Sequence, residues 1–132
     1  MTYYFKIPGE PTGKARPRVV KGHAFTPTKT VLYENLVKTS YQGPLFEGPV
    51  NVLITAVFGI PKSAGKAKRE EMLRGRIMPS KRPDCDNIAK VICDGLNGAA
   101  WSDDAQVVTL TVHKIWGPAG EVRVGISNWE VK

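Results

Sequence analysis

The sequence predicts an α+β domain in which a mixed, mostly antiparallel sheet carries two main helices. Residues 49–60 form the most apolar run of the chain, with β-branched residues and flanking glycine and proline, as in a central strand. Residues 84–98 repeat apolar side chains at helical spacing between an aspartate and an Asn-Gly pair, which indicates a capped amphipathic helix. Its apolar face consists of Ile88, Val91, Ile92 and Leu96.

Two segments near the N-terminus are predicted to be extended. Residues 2–9 are rich in aromatic and β-branched residues and end at a Pro-Gly pair, which indicates a first strand. Residues 13–20 alternate basic with small or apolar residues, and Val19, Val20 and Phe25 then predict a second strand or a ribbon. Pro11 and Pro17 place this segment at an edge or in a loop, because proline lacks the amide hydrogen that a central strand donates.

The C-terminal part predicts a β-hairpin. Residues 105–116 and 120–128 alternate like strands, and the sequence Gly-Pro-Ala-Gly at 117–120 is typical of a turn. We therefore expect these two strands to be hydrogen-bonded neighbours in the sheet.

Two further segments predict helices. Residues 28–42 repeat a set of side chains at helical spacing, with Thr26 or Thr28 as the cap and a Gly-Pro pair as the stop. The side chains that define this pattern are Val31, Leu32, Asn35, Leu36 and Thr39. Within the cation-rich residues 62–76, the stretch 66–73 is expected to be helical, either as a basic flap beside a functional site or as a solvated face without a role.

The composition is that of one ordinary globular domain, residues 1–132. No stretch approaches the roughly 20 apolar residues of a membrane span, and the N-terminus lacks the features of a signal peptide, so we expect a cytoplasmic protein. Cys85 and Cys93 would lie roughly 12 Å apart on one helix, which is too far for a disulfide. Neither they nor His23 and His113 have the spacing of a zinc site.

The charge is unevenly distributed along the chain. Residues 1–83 hold 15 Lys and Arg against 5 Glu, a balance of +10, whereas residues 84–132 hold 4 Lys and Arg against 7 Asp and Glu, a balance of −3. The two balances sum to the net charge of +7. A basic surface suits a polyanion such as nucleic acid, and a basic protein without such a partner is the alternative that charge alone leaves open.

All five aspartates of the chain fall within 21 residues. They are Asp84, Asp86, Asp94, Asp103 and Asp104. Aspartate is a poor former of helices and strands, and capping or loop roles account for about two of the five. If the chain is extended after Pro83, Asp84 and Asp86 project the same way. The chain then turns back after the helix, which can bring Asp103 or Asp104 to this pair.

Converging carboxylates predict a divalent cation, because without one they would repel each other strongly. Oxygen ligands alone select Mg²⁺ or Mn²⁺ over zinc. Lys90 lies one helical turn after Asp86, where its ammonium either contacts a phosphate beside the cation or forms an ordinary surface pair. Asp94 lies one turn further and either orients Lys90 or simply pairs with it.

Three short motifs follow one another in this acidic region. Residues 82–90 read RPDCDNIAK, residues 94–97 read DGLN, and residues 101–107 read WSDDAQV. Together they resemble the signature of the RusA-type Holliday junction resolvases, which runs roughly Lys/Arg-Pro-Asp-x-Asp-Asn-x-x-Lys, then Asp-x-Leu, then Asp-Asp-x-Gln-Val. Every fixed position is matched. The early segment IPGEPTGKARPR is also similar to the family's N-terminal strand and basic turn.

The resemblance implies a homodimeric endonuclease, bacterial and often prophage-encoded, that acts in DNA recombination and repair. Such enzymes bind four-way DNA junctions and introduce paired, symmetric nicks with Mg²⁺, for which we expect that Mn²⁺ can substitute. By position, Asp84, Asp86 and Asp104 match the family's metal-binding carboxylates, and Lys90 matches its essential lysine. Asp103 lies beside them as a further candidate ligand.

Cations that precede or adjoin the first motif are candidates to contact DNA phosphates, and binding through them would weaken steeply with salt. They are Lys14, Arg16, Arg18, Lys21, Lys66, Lys68, Arg69, Arg74, Arg76, Lys81 and Arg82. The segment of residues 62–76 is longer and more basic than the resemblance leads us to expect.

Two other functions are compatible with the same residues. A non-catalytic module would use Asp84 only as a helix cap, and it would bind nucleic acid equally well in EDTA without cutting. A flap or other branched-DNA nuclease would use the same carboxylates as a resolvase. A calcium loop of the EF-hand type is excluded, because Ala89 stands where that loop requires glycine and Gly95 where it requires glutamate.

Overall fold

The structure is a computed structural model that describes residues 1–15, 18–25 and 27–131. A four-stranded sheet, a two-stranded ribbon and three helices make up its regular elements. The strands are β1 (Thr2–Pro8), β2 (Arg18–Val20), β3 (His23–Phe25), β4 (Val50–Gly59), β5 (Val107–Gly117) and β6 (Glu121–Asn128). The helices are α1 (Thr28–Ser40), α2 (Lys66–Leu73) and α3 (Cys85–Leu96). The predicted α+β class is confirmed.

The central position of β4 follows from its apolar sequence. The strand order is β1-β6-β4-β5, with β4 antiparallel to β6 and parallel to β5, so the sheet is mixed as predicted. Alternate side chains of β4, among them Val52, Ile54 and Ala56, are at most 2% exposed. They join side chains of α1 and α3 in one hydrophobic core on one face of the sheet.

The predicted hairpin of residues 105–128 is wrong, because β4 lies between its two strands. Residues 117–120 instead carry the chain across the end of β4, where the amide of Ile60 donates to the carbonyl of Gly117 at 3.0 Å. Strands that flank a third strand stand about 9.6 Å apart, a distance that three extended residues can span. The short turn therefore permits this arrangement, which places the most apolar strand at the centre of the sheet.

The bounds of α1 agree with the predicted helix, but the apolar pattern does not mark its buried face. Val31 and Leu32 are exposed, and the helix buries Tyr33 and Val37 instead. The reason lies in α3, where a Cβ added at Gly95 would lie 2.8 Å from the Cβ of Val37. The bare backbone of this glycine admits Val37 closely, and this contact sets the rotation of α1.

The start of α1 also differs from the expectation of a threonine cap. The N-cap is Pro27, which has no side-chain hydrogen bond to offer, and Thr28 is the first helical residue. The alternative cap Thr26 lies outside the described residues. The ribbon that β2 and β3 form agrees with the strand or ribbon predicted for residues 13–25.

The amphipathic character predicted for α3 is confirmed. Its N-cap is Asp84 and its C-cap is Asn97, and the four predicted apolar side chains are fully buried. The helix predicted at 66–73 is α2, which Met72 anchors with only 4% of its surface exposed. In the part of the chain that is described, no helix has the length and apolar character needed to cross a membrane.

Candidate active site

Asp84 and Asp86 lie at the N-terminus of α3, and both are exposed. The extended geometry assumed for this pair is wrong, because the helix already begins at Cys85 and places Asp86 in its first turn. Asp84 has the backbone conformation of an N-cap, with φ −74° and ψ 157°, but its side chain forms no capping hydrogen bond. Its carboxylate is therefore not engaged in the structural role that the sequence left open.

The two carboxylates line neighbouring clefts. Asp86 borders an open cleft of about 460 Å³ beside α3 and the start of β5, which we term the acidic cleft. The charged side chains that line the acidic cleft are Asp86, Lys90, Asp94 and Asp104. Asp84 borders a second cleft of about 780 Å³, which it shares with Arg82 and Lys29. The structure thus brings Asp86, Lys90 and Asp104 together and places Asp84 at their flank.

Trp101 holds Asp104 in the acidic cleft. The indole Nε1–H of Trp101 donates to Asp104 Oδ1 at 2.7 Å, and the tryptophan side chain is fully buried. A buried indole N–H needs an acceptor, so this bond orients the carboxylate while it satisfies the core. Among the described residues, no donor is assigned to the second oxygen of Asp104. The role of Trp101 had no sequence signal, because residues 101–103 lie outside the helices and strands whose periodicity can be predicted.

Asp103 caps the short 3₁₀ turn that carries Asp104. Its Oδ1 accepts from the amide of Ala105 at 3.1 Å, and Gln106 Oε1 accepts from the amide of Asp103 at 3.2 Å. The Gln106 Nε2 group also donates to two carbonyls of the loop before β4, at 3.0 and 2.9 Å. This reciprocal capping fixes the turn. Asp103 as a metal ligand stays a prediction.

The donor set of the acidic cleft fits a hard cation. Over residues 1–15, 18–25 and 27–131, no three Asp, Glu, His or Cys side chains lie close enough together to form a ready-made metal cage. Mg²⁺ does not require one, since it usually keeps several waters and binds through one or two carboxylates together with substrate phosphates. Asp86 and Asp104 offer such carboxylate oxygens in one cleft, whereas Asp84, two residues before Asp86, lines the second cleft.

Cys93 also lines the acidic cleft, and in the absence of a cation its thiol stays protonated. Burial raises the pKa of Cys93 to about 12, and the negative charges of Asp104 and Asp94 act in the same direction. The anionic ligands that the cleft offers are therefore the carboxylate oxygens of its aspartates. Oxygen ligands favour Mg²⁺ or Mn²⁺ over softer ions.

Lys90 belongs to a chain of alternating charges. Its side chain is 64% exposed and its ammonium lies 3.5 Å from Asp94 Oδ1, while Asp94 Oδ2 lies 3.0 Å from the ammonium of Lys14. Lys14 in turn contacts Glu34 at 2.8 Å. Burial acts to lower the pKa of Lys14, but its hydrogen bonds to Glu34 and Asp94 outweigh this and raise that pKa above its ordinary value.

The cations proposed from the sequence to contact DNA lie in different settings. Arg16 lies outside the described residues, and Arg18 lies in β2. Lys14 is held by two carboxylates, and Arg69 is partly buried. The exposed members are Lys21, Lys66, Lys68, Arg74, Arg76, Lys81 and Arg82. Contact of any of them with DNA stays a prediction.

The sequence analysis did not identify Lys114 as a residue that contacts one of the candidate DNA-binding cations, Lys81. Its ammonium donates to the carbonyl of Lys81 and lies 5.3 Å from the centre of the Phe58 ring. The ammonium of Lys81 lies 5.5 Å from the same ring and 5.6 Å from that of Trp116. Two cations therefore share one aromatic surface. Only the pairing of β4 with β5 brings these residues together, which explains why no local motif marked Lys114.

A basic chain with carboxylates and a lysine in one open cleft has the features of an enzyme that acts on nucleic acids. Residues 8–127 match the family described as Endodeoxyribonuclease RusA. The uncharacterized protein YqaN of Bacillus subtilis (strain 168) is 33% identical, in an alignment that covers 92% of this chain and 93% of that relative. The chain belongs to the RusA endodeoxyribonuclease family, and this membership implies endodeoxyribonuclease activity.

Proposed function

We propose that this protein is a Mg²⁺-dependent endonuclease that resolves four-way DNA junctions by paired, symmetric nicks in recombination or repair. The observation that carries the proposal is the meeting of Asp86, Lys90 and Asp104 in the acidic cleft of a chain from the RusA family. The first two residues come from α3 and the third from the turn before β5, so the fold joins separate parts of the motif.

Asp86 and Asp104 would hold Mg²⁺, or Mn²⁺ in its place, with Asp84 as a further ligand from the flank. When bound there, the ion supplies charge that polarises the scissile phosphate and lowers the pKa of a water for in-line attack. The chain itself supplies the orientation. Trp101 holds one oxygen of Asp104, which reduces the freedom of that carboxylate before substrate arrives.

Lys90 would stabilise negative charge on the phosphate as the bond to the leaving oxygen breaks. Its ammonium is exposed in the cleft, within reach of a phosphate that enters from solvent. A preorganised cation aimed at developing charge is among the larger contributions to catalysis, because it needs little rearrangement during the reaction.

Exposed cations would hold the DNA backbone, since phosphate contacts position a duplex without reading its sequence. The exposed members of the proposed set are Lys21, Lys66, Lys68, Arg74, Arg76, Lys81 and Arg82, and the partly buried Arg69 is a further member together with Arg16 and Arg18. Lys14 is not included, because two carboxylates already occupy its ammonium.

The paired nicks would come from a homodimer. One chain carries one acidic cleft, and a four-way junction presents two equivalent strands related by a two-fold axis. A dimer with the same symmetry places one cleft on each strand, so both nicks follow from a single binding event.

A synthetic four-way junction tests the proposal directly. Mobile and immobile junctions are incubated with the protein in Mg²⁺, Mn²⁺ or EDTA, and the products are separated on a denaturing gel. We expect symmetric nicks with either metal and none in EDTA. Cutting of flaps in preference to junctions would indicate another branched-DNA nuclease, and junction binding without any cutting would indicate a non-catalytic module.

The variant Asp86→Asn locates the site in the same assay. We expect cleavage to fall by roughly 1,000-fold or more, because a metal ligand is lost. Junction binding in EDTA should persist or tighten, since repulsion between the carboxylate and phosphate is removed. Glu47→Gln is the matched control, because it makes the same change of charge at an exposed residue outside the acidic cleft. Equal loss of binding and cleavage in Asp86→Asn would make this residue structural.

A further inference from the structure

Lys14 lies in the N-terminal basic turn (residues 13–21) and connects this segment to both core helices, α1 and α3. Its ammonium lies 2.8 Å from Glu34 Oε2 on α1 and 3.0 Å from Asp94 Oδ2 on α3. Its amide donates to the carbonyl of Asn87 at 3.0 Å, so the backbone is also attached to α3. The side chains of Lys14, Glu34 and Asp94 are only 20%, 20% and 23% exposed. This lysine is therefore held at both its backbone and its charged end.

Asp94 divides its carboxylate between two cations. Oδ2 lies 3.0 Å from the ammonium of Lys14, whose side chain is largely shielded from water, and Oδ1 accepts from the ammonium of Lys90 at 3.5 Å, whose side chain is 64% exposed. The contact with the shielded cation is the shorter of the two. Charge interactions are stronger where water is excluded, so Lys14 takes the larger share of the carboxylate's charge.

This arrangement leaves Lys90 both placed and available. Without Lys14, Asp94 would have Lys90 as its neighbouring cation on the same helix face, and the two would form an ordinary i,i+4 pair. A lysine held tightly by its own carboxylate offers less charge to a phosphate. With Lys14 present, Asp94 retains a weak contact that fixes the direction of Lys90 without neutralising it.

We propose that Lys14 is a positioning residue that acts through Asp94 to place the Lys90 ammonium in the acidic cleft and keep it available for a phosphate oxygen. The inference rests on the proposed function, because it assigns Lys90 to the phosphate of that reaction. It also replaces the role that the sequence suggested for Lys14. A phosphate that approached this ammonium would meet the two carboxylates that already surround it, Glu34 and Asp94.

The first test is Lys14→Met, which keeps the length of the side chain and removes its charge. Single-turnover cleavage of a saturating four-way junction in Mg²⁺ should fall by about tenfold or more, because Lys90 is misplaced. The dissociation constant for the junction in EDTA should stay unchanged. A raised dissociation constant with an unchanged cleavage rate would overturn the proposal and make Lys14 a phosphate contact.

Arg123→Met is the matched control for lost charge and a lost ion pair. Arg123 contacts Glu121 at 2.6 Å. Its strand neighbours Val122 and Val124 are buried in the core. Because successive side chains of a strand point to opposite faces, Arg123 lies on the face of the sheet away from α3. Cleavage should be unchanged in this variant, and a loss equal to that of Lys14→Met would attribute both to net charge and overturn the proposal.

The combination of Lys14→Met with Asp94→Asn tests the route of the effect. If Lys14 acts through Asp94, the double variant should cut no more slowly than Asp94→Asn alone. Multiplied losses would show that the two residues act independently, which contradicts the inference. Thermal unfolding of each variant shows whether the comparison is made between folded proteins.

Competitive acetylation of lysine amines tests the arrangement without DNA, metal or the Lys14 variant. In the wild-type protein Lys14 should be labelled more slowly than the exposed Lys66, as read by mass spectrometry. In Asp94→Asn the labelling of Lys14 and of Lys90 should both accelerate, and unchanged labelling of either would overturn the proposal. A wild-type protein that shows this labelling but cuts no junction would contradict only the proposed function.

Discussion

Two cation-rich segments of this chain differ in how the protein packs against their cations. The N-terminal basic turn, residues 13–21, is attached to α3 through the backbone of Lys14 and to two carboxylates through its ammonium. The basic arm, residues 62–76, carries most of its cations in full contact with water. Its ion pair of Arg76 with Glu71 has side chains that are 65% and 42% exposed.

The difference shows that packing, and not the number of cations, decides what a basic segment can do. Exposed ion pairs contribute about 0–1 kcal/mol, so a phosphate displaces them readily and the arm stays available to DNA. The side chain of Lys14 is only 20% exposed, so its contacts with Glu34 and Asp94 are less screened by water and resist exchange. We therefore assign a geometric role to Lys14 in the turn, and DNA binding to the arm and to the other cations of the turn.

Of the effects that compare the turn with the arm, we expect the largest from Lys90, which Asp94 connects to Lys14 in the turn. Lys90→Ala should lower single-turnover cleavage by roughly 100-fold or more, as expected when a preorganised charge is removed from a transition state. Junction binding in EDTA should change little. Lys66→Ala is the control in the arm and should leave the rate at saturating DNA unchanged. Full activity of Lys90→Ala would remove this residue from the mechanism.

The second prediction compares one glycine from each segment. A Cβ added at Gly13 would lie 2.8 Å from the Cβ of Pro83 and 3.1 Å from that of Asn87, whereas a Cβ added at Gly65 would meet nothing within 4 Å. Gly13→Ala should therefore force the turn away from α3 and lower the free energy of unfolding by about 1–3 kcal/mol. Gly65→Ala should be nearly neutral. Urea unfolding measures the free energy of unfolding of both variants. Equal stability of Gly13→Ala and Gly65→Ala would mean that the turn does not pack against α3 as described.

Much of the fold was accessible from local patterns. The apolar run of residues 49–60 marked the central strand, and the spacing of the apolar side chains in residues 84–98 marked the buried face of α3. The hairpin predicted for residues 105–128 and the buried face predicted for α1 were wrong for the same reason. In both cases the packing partner is distant in sequence, so local patterns do not identify it. The turn at 117–120 is equally suited to a hairpin or to a crossing over β4, and the rotation of α1 depends on the gap that Gly95 leaves in α3.

The candidate site, like the fold, was predicted from the sequence only in part. The motif resemblance pointed to Asp84, Asp86, Lys90 and Asp104, and the structure places the last three in one cleft and Asp84 in another. Their supports were not foreseen, because Trp101 and Glu34 act through contacts that no spacing rule describes. Lys14 shows the limit most clearly, since a lysine in a basic turn has the same sequence signal whether it faces DNA or two carboxylates.

The smallest expected effect is on binding through the arm. Replacing Lys66, Lys68 and Arg74 by glutamine should raise the dissociation constant for a junction by roughly tenfold and reduce its salt dependence, because each lost phosphate contact lowers the slope by about 0.9. The cleavage rate at saturating DNA should stay unchanged, since no residue of the acidic cleft is altered. A filter-binding titration over several salt concentrations measures the dissociation constant and its salt dependence.

A second triple variant separates the position of the charges from their number. It replaces three exposed cations outside both segments, Lys6, Lys38 and Arg123, by glutamine. Net charge falls equally in the two proteins, so long-range attraction to DNA is weakened to a similar extent. If the arm contacts phosphates directly, only the first variant loses salt dependence. Equal losses in both would mean that the arm contributes charge but no contacts, and the contrast between the two basic segments would then rest on the turn alone.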